Sequence, residues 1–219
     1  MIPLLQRAGH TVIAPDLPGQ GDDLTPLTCI TLSSSVQYVV NLIDALPAEE
    51  QVVLVGHGLA GMMISQVAEE RSERIHCLVY LSALLPHHGD TVMQITEQHP
   101  NVAFSEGLEV DDLCVSLPPE MATTFLHQDC DPNDAREAIS RLTPQALLPL
   151  MTPVRLSERF ESVQRVYVSC RYDLALSTTL QRQMYGAMPC KQVSWLMSGH
   201  APFLSAPNRL AERLHGLAS

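Results

Sequence analysis

The chain is predicted to fold as an α/β protein, a mostly parallel sheet covered by helices on both faces. Three observations carry the prediction. Short apolar runs alternate with stretches whose apolar residues recur at helical spacing, the pattern of repeated strand–helix units. One such run, Val52-Val53-Leu54-Val55, leads directly into Gly56-His57-Gly58-Leu59-Ala60-Gly61, where small residues let the backbone turn sharply from a strand into a helix. A further run, Ile75 to Leu81, is dominated by apolar residues, as a strand buried on both faces should be.

Taken in order, Met1 to Ala8 reads as the end of a helix stopped at Gly9, and His10 to Ala14 as a short strand entering the turn-rich Pro15-Asp16-Leu17-Pro18-Gly19-Gln20-Gly21-Asp22-Asp23. Leu32 to Ala45 has helical spacing, with Ser33 to Ser35 supplying a cap near its start. Gln51 to Val55 is the second strand, feeding a helix from about Leu59 to Arg71, and Ile75 to Leu81 is the third. Between Leu85 and Phe160 the pattern is broken by Pro86, Pro118-Pro119, Pro132, Pro144, Pro149 and Pro153, which predicts short helical pieces forming a cap, residues 86–160, inserted in a single domain spanning 1–219. The strand register returns at Val163 to Ser169, followed by a helix from Ser177 to Ala187, a strand from Gln192 to Leu196 and a closing helix from about Pro207 to Leu217.

Composition bounds the function. With 46% apolar and 17% charged residues in 219, the chain can bury a sizeable core and is not disordered. A net charge of -11 without a basic stripe disfavours nucleic acid and anionic membranes as partners. Six scattered cysteines with no CxxC pair read as reduced thiols of a cytoplasmic protein, and no apolar run near Met1 is long enough for a leader or a membrane span. No cofactor and no metal are expected: His87-His88 lacks further ligands at a fitting spacing, and Gly19-Gln20-Gly21 lacks the Lys-Ser/Thr of a phosphate loop. The expected partner is a small molecule, with a homodimer left open.

The runs Ala14 to Asp23, Gly56 to Gly61, Leu78-Val79-Tyr80-Leu81-Ser82-Ala83-Leu84-Leu85-Pro86, Phe125-Leu126-His127-Gln128-Asp129-Cys130 and Gly199-His200-Ala201-Pro202-Phe203-Leu204-Ser205 together resemble the α/β-hydrolases of the methylesterase and hydroxynitrile-lyase group, over nearly the whole chain. That resemblance implies a Ser, Asp, His triad in chain order, with Asp173 and His200 each following a strand, where open α/β sheets place their sites. Asp111, Asp112, Asp129 and Asp131 are weaker candidates for the acid. The nucleophile position is Gly58, which has no side chain to attack a carbonyl. The amide of Leu59 would be the remaining oxyanion donor, and His57, Leu84, Met93 and Phe125 would border the substrate. For His57, packing against the following helix is an alternative role. Met62-Met63, Met93, Met121 and Met151 could line an apolar pocket or fill the core, and Tyr80 and Tyr172 could border the site or sit in core or rim.

A second departure from the family is the strand ending in a His-Gly motif that opens its sheet. Without it, either His10–Ala14 and Gln51–Val55 pair directly, or Met1 is an internal methionine of a longer product. The functional expectation is a relative of carboxylic-ester hydrolases acting on small, largely apolar esters, with weak turnover or with His200 as general base on water or substrate. A non-catalytic ligand-binding protein on the same scaffold and a truncated inactive product are the alternatives.

Overall fold

A computed structural model describes residues 1–98 and 101–217. Among these, the strands are β1 (Val52–Gly58), β2 (Ile75–Ala83), β3 (Glu109–Val110), β4 (Cys114–Ser116), β5 (Gln145–Ala146), β6 (Arg165–Cys170) and β7 (Gln192–Leu196). β1, β2, β6 and β7 form one parallel sheet in that order, with Val55 opposite Val79, Tyr80 opposite Tyr167 and Val168 opposite Ser194. Parallel neighbours need crossover connections. Helix α3, named here with its predecessors α1 (Ile2–Arg7) and α2 (Leu32–Asp44), spans Ala60–Arg71 and joins β1 to β2, while the helix Thr178–Ala187 joins β6 to β7.

The two faces of the sheet follow from the period of two along β2. Leu78 and Tyr80 point into a core shared with Val36 and Val40 of α2, Ile64 and Val67 of α3, and Tyr167 of β6. Cys77, Val79 and Leu81 point the other way, onto Val166, Val168, and Leu210 and Leu214 of the closing helix Pro207–His215. Thr31 caps α2 in a capping box with Ser34, so the cap begins two residues earlier than Ser33.

The predicted strand His10–Ala14 is not formed. α1 ends as expected before Gly9, at φ +93°, and the His10 amide bonds back to the Leu5 carbonyl at 3.1 Å. Leu5 packs on the face of the sheet that carries the closing helix, and His10 bonds His215 at 2.8 Å, so this stretch is tethered there and runs unpaired. It therefore does not pair with β1, which is an edge strand among the described residues and leaves Val55 39% exposed. No helix among the described residues is long and apolar enough to cross a membrane.

The connection between β2 and β6 holds the short helices Val92–Gln98, Pro132–Ser140, Leu147–Met151 and Glu158–Ser162. It is not purely helical: β3, β4 and β5 form an antiparallel sheet within it. Asp111 turns β3 into β4 by accepting the amides of Leu113 and Cys114 at 2.7 Å each. Strands of two or three residues are too short to show an alternating pattern, which is why the sequence hid them.

The turn between β1 and α3 is set by close approach. The Leu84 amide donates to the Gly58 carbonyl at 2.9 Å, and a Cβ on Gly61 would lie 1.9 Å from the Leu84 carbonyl oxygen. Backbone cannot yield as a side-chain tip can. Gly61→Ala should therefore destabilise by about 3 kcal/mol or more, at the severe end of overpacking. Urea unfolding tests this, and a loss within 0.5 kcal/mol, about the effect of a neutral surface change, would contradict the packing.

Candidate active site

The site is assembled where β6 and β7 end. The Arg171 amide bonds the Leu196 carbonyl and the Tyr172 amide bonds the Ser198 carbonyl, both at 2.9 Å. This strapping brings Asp173, which follows Tyr172, and His200, two residues after Ser198, side by side. His200 Nδ1–H donates to Asp173 Oδ2 at 2.8 Å, with the two residues 9% and 6% exposed. The bond fixes the tautomer and leaves the lone pair of His200 on Nε2, where it can take a proton.

A buried carboxylate must have its lone pairs occupied. Asp173 Oδ1 accepts the amides of Ala175 and Leu176 at 2.8 Å each. Oδ2 accepts His200, the Ser82 hydroxyl in a short hydrogen bond, and Gln181 Nε2 at 3.4 Å. Ser82 is fully buried at the end of β2, and at φ +41° it is the one non-glycine residue with positive φ among the described residues. Such a conformation costs on the order of 1–3 kcal/mol and persists where its surroundings hold it; here the hydroxyl is held on the Asp173 carboxylate.

Gly58 faces the other side of the His200 ring. It has φ +55°, and a Cβ built there would lie 3.4 Å from His200 Nε2. His57 packs on His200 with ring centroids 4.3 Å apart and edge-on against Phe203 at 5.2 Å. Loss of solvation, then the charge on His200, push the His57 imidazole down to about 3. The neutral ring therefore donates from Nε2–H to the His200 carbonyl at 2.7 Å, fixing the backbone of the residue next to Gly58. Leu59 lies at the N-terminus of α3, and its amide has no hydrogen-bond partner among the described residues.

The sequence-derived residues thus divide. His200, Asp173, Gly58, His57 and Leu59 come together. Leu84 joins only through its backbone, its side chain being buried in the core beside α2 and α3. Met93 is 41% exposed on Val92–Gln98, and Phe125 packs edge-on against Phe104 at 5.3 Å. Met62 is core, Met151 is exposed, Tyr80 stacks on Tyr167 and bonds Ser65, and Tyr172 is exposed. Asp111 and Asp131 are spent on local backbone amides. His88 is engaged with the Leu156 backbone, and among the described residues no group of three His, Cys, Asp or Glu could hold a metal ion.

Contacts across the fold give further residues roles that the sequence reading did not assign. Ser82 and Gln181 complete the shell of Asp173, and Ser169 donates to Gln181 Oε1 at 2.8 Å, which turns the amide nitrogen toward the carboxylate. Gln128 and Asp129 are two more of these residues, the latter a weaker candidate for the acid in the sequence reading. Gln128 Nε2 donates to the Tyr172 carbonyl at 2.7 Å, and Asp129 Oδ2 accepts the Gly199 amide at 2.5 Å. They grip the residue before each member of the pair. Only the presence of 125–130 among the family-like motifs marked this segment; its role depends on contacts across the fold.

Residues 1–213 match the model of the family described as alpha/beta hydrolase. The chain belongs to the alpha/beta hydrolase family. Within it, salicylic acid-binding protein 2 of Nicotiana tabacum is 30% identical over 232 residues, covering 99% of this chain and 89% of the relative. A carbendazim hydrolyzing esterase of Nocardioides sp. is 31% identical over 223 residues, covering 97% and 90%. A solved pyrethroid hydrolase superposes with a TM-score of 0.88 at 28% identity, covering 99% of this chain and 89% of that one. This alpha/beta hydrolase is thus related to methylesterases and other carboxylic-ester hydrolases.

The His57 shift has a testable sign. Its folded value, about 3, lies below the ordinary 6.5, so between these the unfolded chain binds more protons and stability falls as pH is lowered through the window. His57→Gln, which keeps a donor for the His200 carbonyl, should flatten the dependence of urea-unfolding stability on pH between about 6.5 and 4. An unchanged slope would show that His57 is not held neutral.

Proposed function

We propose that the chain binds a small, largely apolar ester or related carbonyl compound and hydrolyses it slowly, with His200 as general base and Asp173 as the carboxylate that orients it. The observation carrying this reading is the 3.4 Å between His200 Nε2 and a Cβ on Gly58. A serine Oγ at that position could come within the reach of about 2.6–3.2 Å that a nucleophile–base pair needs. With glycine there, the base meets water instead of a hydroxyl. Nε2 takes a proton from water as its oxygen bonds to the carbonyl carbon; the Leu59 amide, at the positive end of α3, donates to the developing oxyanion. Collapse breaks the ester C–O bond, and the alcohol leaves with the proton returned from Nε2.

In this reading residues 86–160 cap the ligand, with Met93 and Phe125 toward its apolar part, and Leu84 and His57 hold the floor. Turnover is weak because no acyl-enzyme forms, and loss of a triad serine removes many powers of ten in rate. The six free cysteines support a reducing compartment, the cytoplasm. A second reading, ligand binding without turnover, is favoured by the name of the tobacco relative, salicylic acid-binding protein 2. It expects salicylate to raise the Tm while no ester is consumed.

Hydrolysis of a short aryl ester by the chain and by Gly58→Ser separates these readings. The serine should raise turnover at least about 100-fold, as a restored nucleophile in an otherwise intact site. It should also lower stability by about 1 kcal/mol, because it inherits a left-handed backbone. His200→Ala should abolish turnover in both backgrounds. Turnover of the unmodified chain that survives His200→Ala would end the general-base reading, and no gain from serine would end the esterase reading.

A further inference from the structure

His127 is 7% exposed, and its Nε2 is buried with no hydrogen-bond partner among the described residues. Buried polar atoms in folded proteins are nearly always paired, so an orphan asks for a ligand; Ser198 Oγ, in the loop that carries His200, is a second buried atom without a hydrogen-bond partner among the described residues. The setting of His127 is that of the site. The residues that follow it, Gln128 and Asp129, are bonded to Tyr172 and Gly199, next to Asp173 and His200. Charges on His127 and His200 disfavour one another, as do those on His127 and His57. The backbone amide of His127 closes a π-helical turn, Ala122–Leu126, by donating a hydrogen bond to the Ala122 carbonyl at 3.1 Å. Such turns reorient the residue that ends them and recur at functional sites.

The other edge of the ring bears on what Nε2 can do. Nδ1 faces Cys130 Sγ at 4.0 Å. Burial pushes the Cys130 thiol up to about 11, and loss of solvation pushes His127 below its ordinary value. A neutral thiol beside a neutral imidazole can donate S–H to Nδ1 or accept Nδ1–H, and the first arrangement puts the ring hydrogen on Nε2. In that tautomer the orphan is a donor seeking an acceptor.

We propose that His127 is a ligand-binding residue whose Nε2–H donates to a second acceptor oxygen, so that the site prefers carbonyl compounds with a keto, hydroxyl or alkoxy oxygen beside the reacting carbonyl over plain hydrocarbon esters. This rests on the reading that the ligand's carbonyl lies at His200, and it names the substrate class more closely. A site that must pair a buried donor rejects a ligand lacking the acceptor more strongly than an apolar pocket rejects a misplaced methylene.

Binding of methyl hexanoate and methyl 3-oxohexanoate to the unmodified chain, measured calorimetrically, tests the proposal without depending on turnover. The keto ester should bind about tenfold more tightly, the ratio one net hydrogen bond gives. His127→Phe should bring the two esters within about twofold of each other, and His127→Gln, which keeps a donor, should retain the preference. Equal binding to the unmodified chain, or a preference that survives His127→Phe, would overturn the role of His127 while leaving the ligand site standing. Failure of both esters to bind would overturn the site reading and this proposal together. Should His127→Phe not fold, ring 15N spectra of the unmodified chain decide: the Nε2–H tautomer, with Nε2 moving on addition of the keto ester alone, is expected, and an Nδ1–H tautomer would overturn it.

Discussion

A carboxylate withdrawn from water must be met by donors on both oxygens, and Asp173 imposes that demand on four separate segments. Its own turn supplies the amides of Ala175 and Leu176; the end of β2 supplies Ser82; the helix Thr178–Ala187 supplies Gln181; the loop after β7 supplies His200. Each donor lies at or just beyond the carboxyl end of a strand or in the crossover that follows it. The parallel sheet makes this convergence possible, because all its strands deliver their ends to the same edge. The arrangement explains the backbone at Ser82, which is held in an unfavourable region by the bond that its hydroxyl makes.

The β1–α3 turn shows how architecture and chemistry share a short stretch of chain. Packing requires Gly61, where a Cβ would lie 1.9 Å from the Leu84 oxygen, and favours Gly56, where it would lie 3.0 Å from the Ala60 oxygen. Gly58 meets no such wall, only the His200 ring at contact distance. The glycines that close packing demands are thus separable from position 58, where the constraint is the left-handed backbone at φ +55°.

Much of this was legible in the chain. β2, β6 and β7 follow from apolar runs, α3 from the glycine turn, and Asp173 and His200 from the resemblance to the family together with their positions after strands. The misses share a cause. His10–Ala14 has a strand-like pattern, but a strand exists only with a ladder partner, and none reaches it. β3, β4 and β5 are too short to carry a period. Ser82, Gln128, Asp129 and Gln181 act through partners between 8 and 91 residues away, and no local spacing announces such a pairing.

The grip of Gln128 on Tyr172 and of Asp129 on Gly199 has a mechanical meaning. The segment that carries His127 is riveted to the same two loops that hold the acid and the base in register, so any swing of that segment away from the sheet pulls on both. The position of that segment and the alignment of the His200–Asp173 pair are geared together as an interlock. Transplanting residues 122–130 from a relative would change more than the shape of the chamber, because it would also reset the alignment of His200 on Asp173.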